Sequence, residues 1–298
     1  MELTADASAM RMFSANRLFR FLRSFLHASQ FVTPGWAPRL AARVFCTPLP
    51  TKLAARHVRP PAGVRVETLP FERASLTLYH WPAPEGAPQL LMTHGWGGWG
   101  LQMAPLAEAL SAAGWAVVVI DQPAHGRSAA WSSTLPQFVR ALAYAAARLG
   151  RVEAVVGHSM GAAAACIAAA NGLALRKLAL VSAPVSMLQA TRDYATAFGL
   201  RDSVRAGMVA YLEGREGMVF ERMGAGHTAP KIAAPTLVVH DHGDSMVPYA
   251  AALTLMQALP DARLHSTSGL GHRRVLKDPD VIRAVSEFVG PASGVERP

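Results

Sequence analysis

The sequence predicts an α/β fold: a mostly parallel central sheet with helices on both faces and a helical insertion. Three observations lead there. Short apolar runs alternate with helical stretches from about residue 89 onward, the pattern of strand–helix–strand units in a parallel sheet. The run at 115–120 is apolar without a break, as expected of a strand covered on both faces. Of 298 residues, 51% are hydrophobic and 16% charged, which suits a chain with a sizeable core and excludes a disordered one. No repeat at a period of about 20–50 residues is visible, which argues against a solenoid.

The first sixty residues differ from the rest. They carry nine basic side chains and two acids, so most of the net charge of +9 sits there. A catalytic core with a basic extension fits this better than a nucleic-acid-binding protein. Within 17–27, Leu18, Phe21, Leu22, Phe25 and Leu26 fall on one helical face, with Arg17, Arg20, Arg23 and His27 largely on the other. The apolar runs between arginines are far shorter than the roughly 20 residues a membrane span needs. Arg20 and Arg23 also interrupt any signal-peptide core. Three readings stand: a helix packed on its own protein, an interfacial helix on anionic lipid, or a removable transit segment. A second helix is expected over 34–45, with Thr33 as its cap and Pro34 in its first turn. Pro48, Pro50, Pro60 and Pro61 mark a linker.

The remaining elements follow in order. Strands are expected at 64–68 and 75–81 as a hairpin, then at 89–93, 115–120, 152–156, 177–182, 236–240 and 263–267. Helices are expected at 101–113, 135–149, 160–171, 248–259 and 280–289, ended by Gly114, Gly172 or Pro260 where those residues follow. Residues 185–231 break the rhythm. They hold arginines, methionines and glycines around helical patches at 186–198 and 203–213, and read as a cap over the carboxyl edge of the sheet. The expected organisation is an extension at 1–61, a core at 62–184 and 232–292, and a cap at 185–231.

The most informative stretch is Gly157-His158-Ser159-Met160-Gly161, between an expected strand and an alanine-rich helix. A serine at so sharp a turn adopts a strained backbone, and the flanking glycines let neighbouring chains approach. The helix that follows aims its amides where an oxyanion would form. A serine hydroxyl needs a base, and the base needs an orienting acid. Asp244 and His272 follow later strands in that order, each beside glycine. The alternatives are an N-cap role for Asp244, Asp241 as a rival acid, and a surface role for His272 beside Arg273 and Arg274.

His158 reads as structural, its side chain turned away from the hydroxyl. His94 reads as a brace between loops, with His125 and His240 also near strand ends. No carboxylate or cysteine joins these histidines at a ligand spacing, so neither a metal nor an organic cofactor is expected. The amides of Met160 and Trp96 are the expected oxyanion donors. A substrate pocket is expected from His94, Trp99, Met187, Phe198, Tyr211 and Met246, although methionines and aromatics here also suit plain packing. Cys46 and Cys166 match no metal spacing and read as free thiols in a reducing compartment. That suggests a cytoplasmic protein, with membrane association through 17–27 open and the oligomeric state not legible.

His94-Gly95-Trp96, the loop from Asp121 to Ser128, Gly157 to Gly161, Gly243 to Pro248 and Gly271-His272 resemble the motifs of the α/β-hydrolase-fold serine hydrolases. The resemblance is to the capped esterases and lipases and spans about 64–290. It implies carboxylic ester hydrolysis through an acyl-enzyme, with acyl transfer or thioester cleavage on the same residues as the alternative, while the apolar residues of the expected cap suggest small to medium apolar acyl substrates. A non-catalytic binding protein on the same scaffold is a further alternative. Relatives that open epoxides or displace halide carry Asp where Ser159 stands, which argues against both chemistries. Ala124 and Asp241 each stand where the family often has Gly.

Overall fold

The computed structural model describes residues 17–48 and 51–290. Eight strands form one sheet in the order β1-β2-β4-β3-β5-β6-β7-β8. β1 (Arg65–Phe71) and β2 (Ala74–His80) make an antiparallel hairpin, and β2 pairs antiparallel with β4 (Ala116–Asp121). Every other pairing is parallel, through β3 (Gln89–Thr93), β5 (Val152–His158), β6 (Lys177–Val181), β7 (Thr236–Asp241) and β8 (Ala262–Thr267). β5 is buried at all seven positions, which is why its sequence has no polar alternation.

Strand alternation divides the core in two. On one face Leu91, Val118, Val155, Leu180 and Val238 meet Phe138 and Leu142 of α5 (Leu135–Leu149) and the alanines of α6 (Met160–Ala170). On the other, Leu90, Val119, Val156, Ala179 and Val239 meet Leu106 and Leu110 of α4 (Ala104–Ala112) and Val281 and Val285 of α12 (Pro279–Val289). Each buried aliphatic contributes about 1.5–3 kcal/mol relative to exposure. Cys46 and Cys166 are buried free thiols within the first of these cores.

Between β6 and β7 the chain is helical: α7 (Met187–Phe198), α8 (Asp202–Glu216), short turns at Phe220–Met223 and Ala229–Lys231, and α9 (Ala225–Thr228) between them. The N-terminal helices α1 (Arg17–Val32) and α2 (Ala37–Phe45) pack on this segment. Tyr194 of α7 donates its hydroxyl to the Ala41 carbonyl at 3.0 Å and stacks edge-on with Phe45. A Cβ at Gly207 of α8 would lie 2.9 Å from the Pro38 ring, so the missing side chain permits the α2–α8 approach.

Several boundaries differ from expectation. α2 begins at Ala37 with Pro38 in its first turn. Thr33 instead closes α1, its hydroxyl donating to the Ser29 carbonyl. The expected linker contains α3 (Thr51–Ala55). β1 continues through Pro70 because it is an edge strand, where proline forfeits no ladder bond. α10 (Ala250–Ala258) starts two residues late, after a turn at Pro248 and Tyr249. A short α11 (Gly271–Arg274) was not foreseen.

Candidate active site

Ser159 lies at the carboxyl end of β5, the region where ligands bind in open parallel sheets. Its backbone has φ 53° and ψ −126°, a strained conformation for a residue with a side chain. The turn survives because its neighbours leave room. A Cβ at Gly157 would lie 2.5 Å from the Ala162 Cα, and one at Gly161 would lie 2.4 Å from the His94 carbonyl oxygen. The Ser159 amide donates to the Val181 carbonyl at 2.8 Å, which holds the turn against β6.

β7 and β8 deliver two further side chains. His272 Nε2 lies 3.0 Å from Ser159 Oγ, and its Nδ1–H donates to Asp244 Oδ2 at 2.7 Å. Asp244 Oδ1 accepts the amides of Met246 and Val247, both at 2.9 Å. Burial works against the charge of Asp244. The bonds from His272, Val247 and Met246 outweigh it and hold its carboxyl below the usual range. One carboxylate oxygen therefore caps the following turn while the other orients the imidazole. Asp241, the rival acid, does not reach His272 with its side chain. Its carboxylate accepts Thr267 Oγ1 at 2.8 Å, the Leu270 amide at 3.0 Å and the Gly243 amide at 2.9 Å.

The loop after β3 faces Ser159 from the other side. A Cβ at Gly95 would lie 2.6 Å from the Ser159 Cβ, so the chain passes directly over the hydroxyl. Trp96 is next in that loop, and its ring packs edge-on against His125. His125 accepts the Gly97 amide on Nε2 at 3.0 Å and donates Nδ1–H to the Pro123 carbonyl. His94 likewise accepts the Gln122 amide on Nε2 and donates Nδ1–H to the Gly95 carbonyl. Both rings must stay neutral to accept, and burial lowers the pKa of both. Behind them Asp121 accepts from Tyr79, Gly100 and Arg127, anchoring the loop from β4.

A cleft of about 190 Å³ opens beside Ser159. Trp96, Trp99, Gln102, Met246, Leu276 and His272 line it, with Arg273 and Lys277 as its cations. Trp99 and Met246 are thus where the sequence suggested. Four expected pocket residues are not. His94 is fully buried beneath the loop, bracing it. Phe198 faces α1, its ring 4.9 Å from Phe19. Tyr211 is turned outward, near the Arg39 guanidinium. Met187 packs on the sheet-side core. Phe198 and Tyr211 are drawn away by the N-terminal helices, which lie outside the recognisable motifs and pack on α7 and α8.

A family model described as alpha/beta hydrolase fold matches residues 88–202. A second, described as TAP-like protein, matches residues 222–291. The chain belongs to the α/β-hydrolase fold. No curated protein matches it. Among solved structures it resembles a bacterial membrane phospholipase A at 18% identity and TM-score 0.61, over 94% of this chain and 100% of that one. A putative lipase from Acinetobacter baumannii follows at 17% identity and TM-score 0.62, over 81% and 96%. A thioesterase domain from the curacin biosynthetic pathway has 21% identity and TM-score 0.58, over 76% and 98%.

Within this α/β-hydrolase fold, the positioning roles of two residues escaped sequence reasoning, which read His158 as structural and Asp241 as a rival acid. His158 donates Nε2–H to the His272 carbonyl at 2.8 Å, and burial followed by the nearby His272 ring lowers its pKa to about 3. Its place beside Ser159 was the available signal. Asp241 ties the segment after β8 to the one after β7. Its position at the end of an apolar strand, where the family often has glycine, was the signal there.

Proposed function

We propose that the protein hydrolyses carboxylic esters through an acyl-enzyme on Ser159. The hydrogen-bonded chain from Ser159 through His272 to Asp244 carries this reading. His272 Nε2 takes the hydroxyl proton as Ser159 Oγ bonds to the acyl carbon. The oxyanion falls between the amides of Trp96 and Met160, each such donor being worth about 2.7–4 kcal/mol. The tetrahedral adduct collapses, the imidazolium giving its proton to the departing alkoxide. Water then repeats the sequence: His272 takes its proton, the acid leaves, and the proton returns to Ser159. Asp244 fixes the imidazole tautomer throughout and stays ionised.

The cleft volume and its Trp96, Trp99, Met246 and Leu276 walls suit a small to medium apolar acyl group. Residues 185–231 are read as a cap braced by α1 and α2. The panel to be tried includes lipid esters and thioesters, in view of the lipase and thioesterase among the similar structures. The deciding experiment measures turnover of short p-nitrophenyl esters and labelling by a fluorophosphonate. Ser159→Ala is expected to lower kcat by about 10⁴–10⁶-fold and abolish labelling. Turnover retained in that variant would sink the assignment.

A further inference from the structure

The N-terminal helix α1 has three faces where the sequence suggested two. Leu26, Ser29 and Gln30 are buried, with Phe19 and Leu22 half-buried on the same side. Gln30 fixes that side to the core: its Nε2 donates to the Gly199 carbonyl at 3.0 Å and its Oε1 accepts the Arg201 amide at 2.6 Å. The helix is therefore docked on α7 and on the link from α7 to α8, with one direction outward. Outward are Phe21, 65% exposed, Phe25, 46%, and Val32, 78%, spaced to form a second apolar stripe. Phe31, 64% exposed, lies on the arginine side of the helix under the Arg201 guanidinium, and Trp36, 62% exposed, follows the helix. Isolated apolar side chains on a surface need no explanation, but an ordered stripe of aromatics does.

The charge that the extension itself carries beside the stripe is basic. Arg17, Arg20 and Arg23 lie on the third face of α1, and Arg39 sits over the Trp36 ring. Between Asp6 and Glu67 the sequence contains no acidic residue. A protein partner with an apolar groove would need no such exclusion of carboxylates over the whole extension. A surface of negative charge over hydrocarbon would: rings enter the acyl boundary while guanidinium groups meet phosphates. No helix among the described residues is long and apolar enough to cross a membrane.

We propose that α1, with Trp36, is a membrane-contact surface that docks the protein on an anionic phospholipid bilayer. The helix lies in the interface plane, and the packing through Gln30 holds the rest of the molecule against the lipid in one orientation. This goes beyond the ester-hydrolase reading and does not depend on it.

The test is co-sedimentation of the full chain with phosphatidylcholine vesicles and with equimolar phosphatidylglycerol–phosphatidylcholine vesicles. Binding is expected to the anionic vesicles and to weaken as salt is raised. The variant Arg17→Gln/Arg20→Gln/Arg23→Gln is expected to bind about a hundredfold more weakly, at about fivefold per charge. Phe21→Ser/Phe25→Ser is expected to lose binding at least tenfold while keeping the wild-type circular dichroism spectrum and short-ester turnover. Ser159→Ala is expected to bind like wild type. Absence of binding, or equal binding by wild type and both variants, would overturn the proposal. So would a concentration-dependent dimer that the phenylalanine variant dissolves, which would assign the stripe to a second copy of the chain.

Discussion

His158 and His272 are joined by a 2.8 Å hydrogen bond from the Nε2–H of the first to the main-chain oxygen of the second. The residue before the proposed nucleophile thus pins the segment that carries the proposed base. Their rings lie 4.8 Å apart between centroids, so the pin acts on the backbone while the rings stack loosely.

His158→Ala removes that donor and leaves a buried carbonyl unpaired, a cost of about 1–3 kcal/mol in stability. The larger effect is expected on rate, since His272 is then free to drift from Ser159: kcat falls roughly ten- to hundredfold with KM little changed. His158→Gln, whose amide reaches the position of Nε2–H, is expected to recover most of the rate. Equal kcat in wild type and the alanine variant would dismiss the pinning role.

Asp241→Asn tests the tie between the segments after β7 and β8. The carboxylate accepts bonds on both oxygens from three donors, and an amide nitrogen must face at least one of them. The expected loss is about 1.5–3 kcal/mol in urea unfolding, with slower fluorophosphonate labelling of Ser159. A variant as stable as wild type would show the carboxylate charge to be dispensable.

Acid sensitivity follows from four buried histidines, His94, His125, His158 and His240. Burial leads the causes that lower each below its ordinary value of 6.5. Below pH 6.5 the unfolded chain therefore binds protons that the fold refuses. Stability falls with acid at a limiting slope of about 1.4 kcal/mol per pH unit for each histidine. For His158 the loss runs down to about pH 3, the value to which its pKa is lowered. Asp244 and Asp241, both held low, add to the loss at the acid end of that range. Urea midpoints compared at pH 8 and pH 5 read this directly, and unchanged midpoints would contradict it.

Ala124 is buried in the left-handed region at φ 68°, its amide donating to the Ala129 carbonyl at 2.9 Å. Glycine is the residue that conformation favours, which gives a physical reason for the family's preference there. Ala124→Gly is expected to stabilise the protein by about 0.5–1 kcal/mol, the strain relieved exceeding the added chain entropy. Thermal melting measures it, and a lowered Tm would refute the strain argument.

The parallel sheet was legible because its strands are covered on both faces and so read as uninterrupted apolar runs. Residues 115–120 and 152–156 carried nearly the whole register of β4 and β5. Ser159 and Asp244 were legible because each follows such a run beside glycine, and His272 because it follows the last strand, a half-buried one, beside Gly271. What escaped depends on which partner claims a surface. Phe198 and Met187 look like pocket residues in one dimension, and α1 and the core take them in three. On α1 the apolar arc is wider than the contact it makes, so Phe21 and Phe25 were grouped with Leu22 and Leu26, although the latter pair alone turns inward.

The bond between His272 and Ser159 spans 113 residues of sequence, and that between His272 and Asp244 spans 28. His272 follows the last strand of the sheet. A nascent chain with everything through the turn after β7 in place would hold a strained serine and the Asp244 carboxylate but no imidazole. Under the proposed mechanism it would be chemically silent. Reactivity would then begin only when the segment bearing His272 docks, and acylation of Ser159 would report that this docking has taken place.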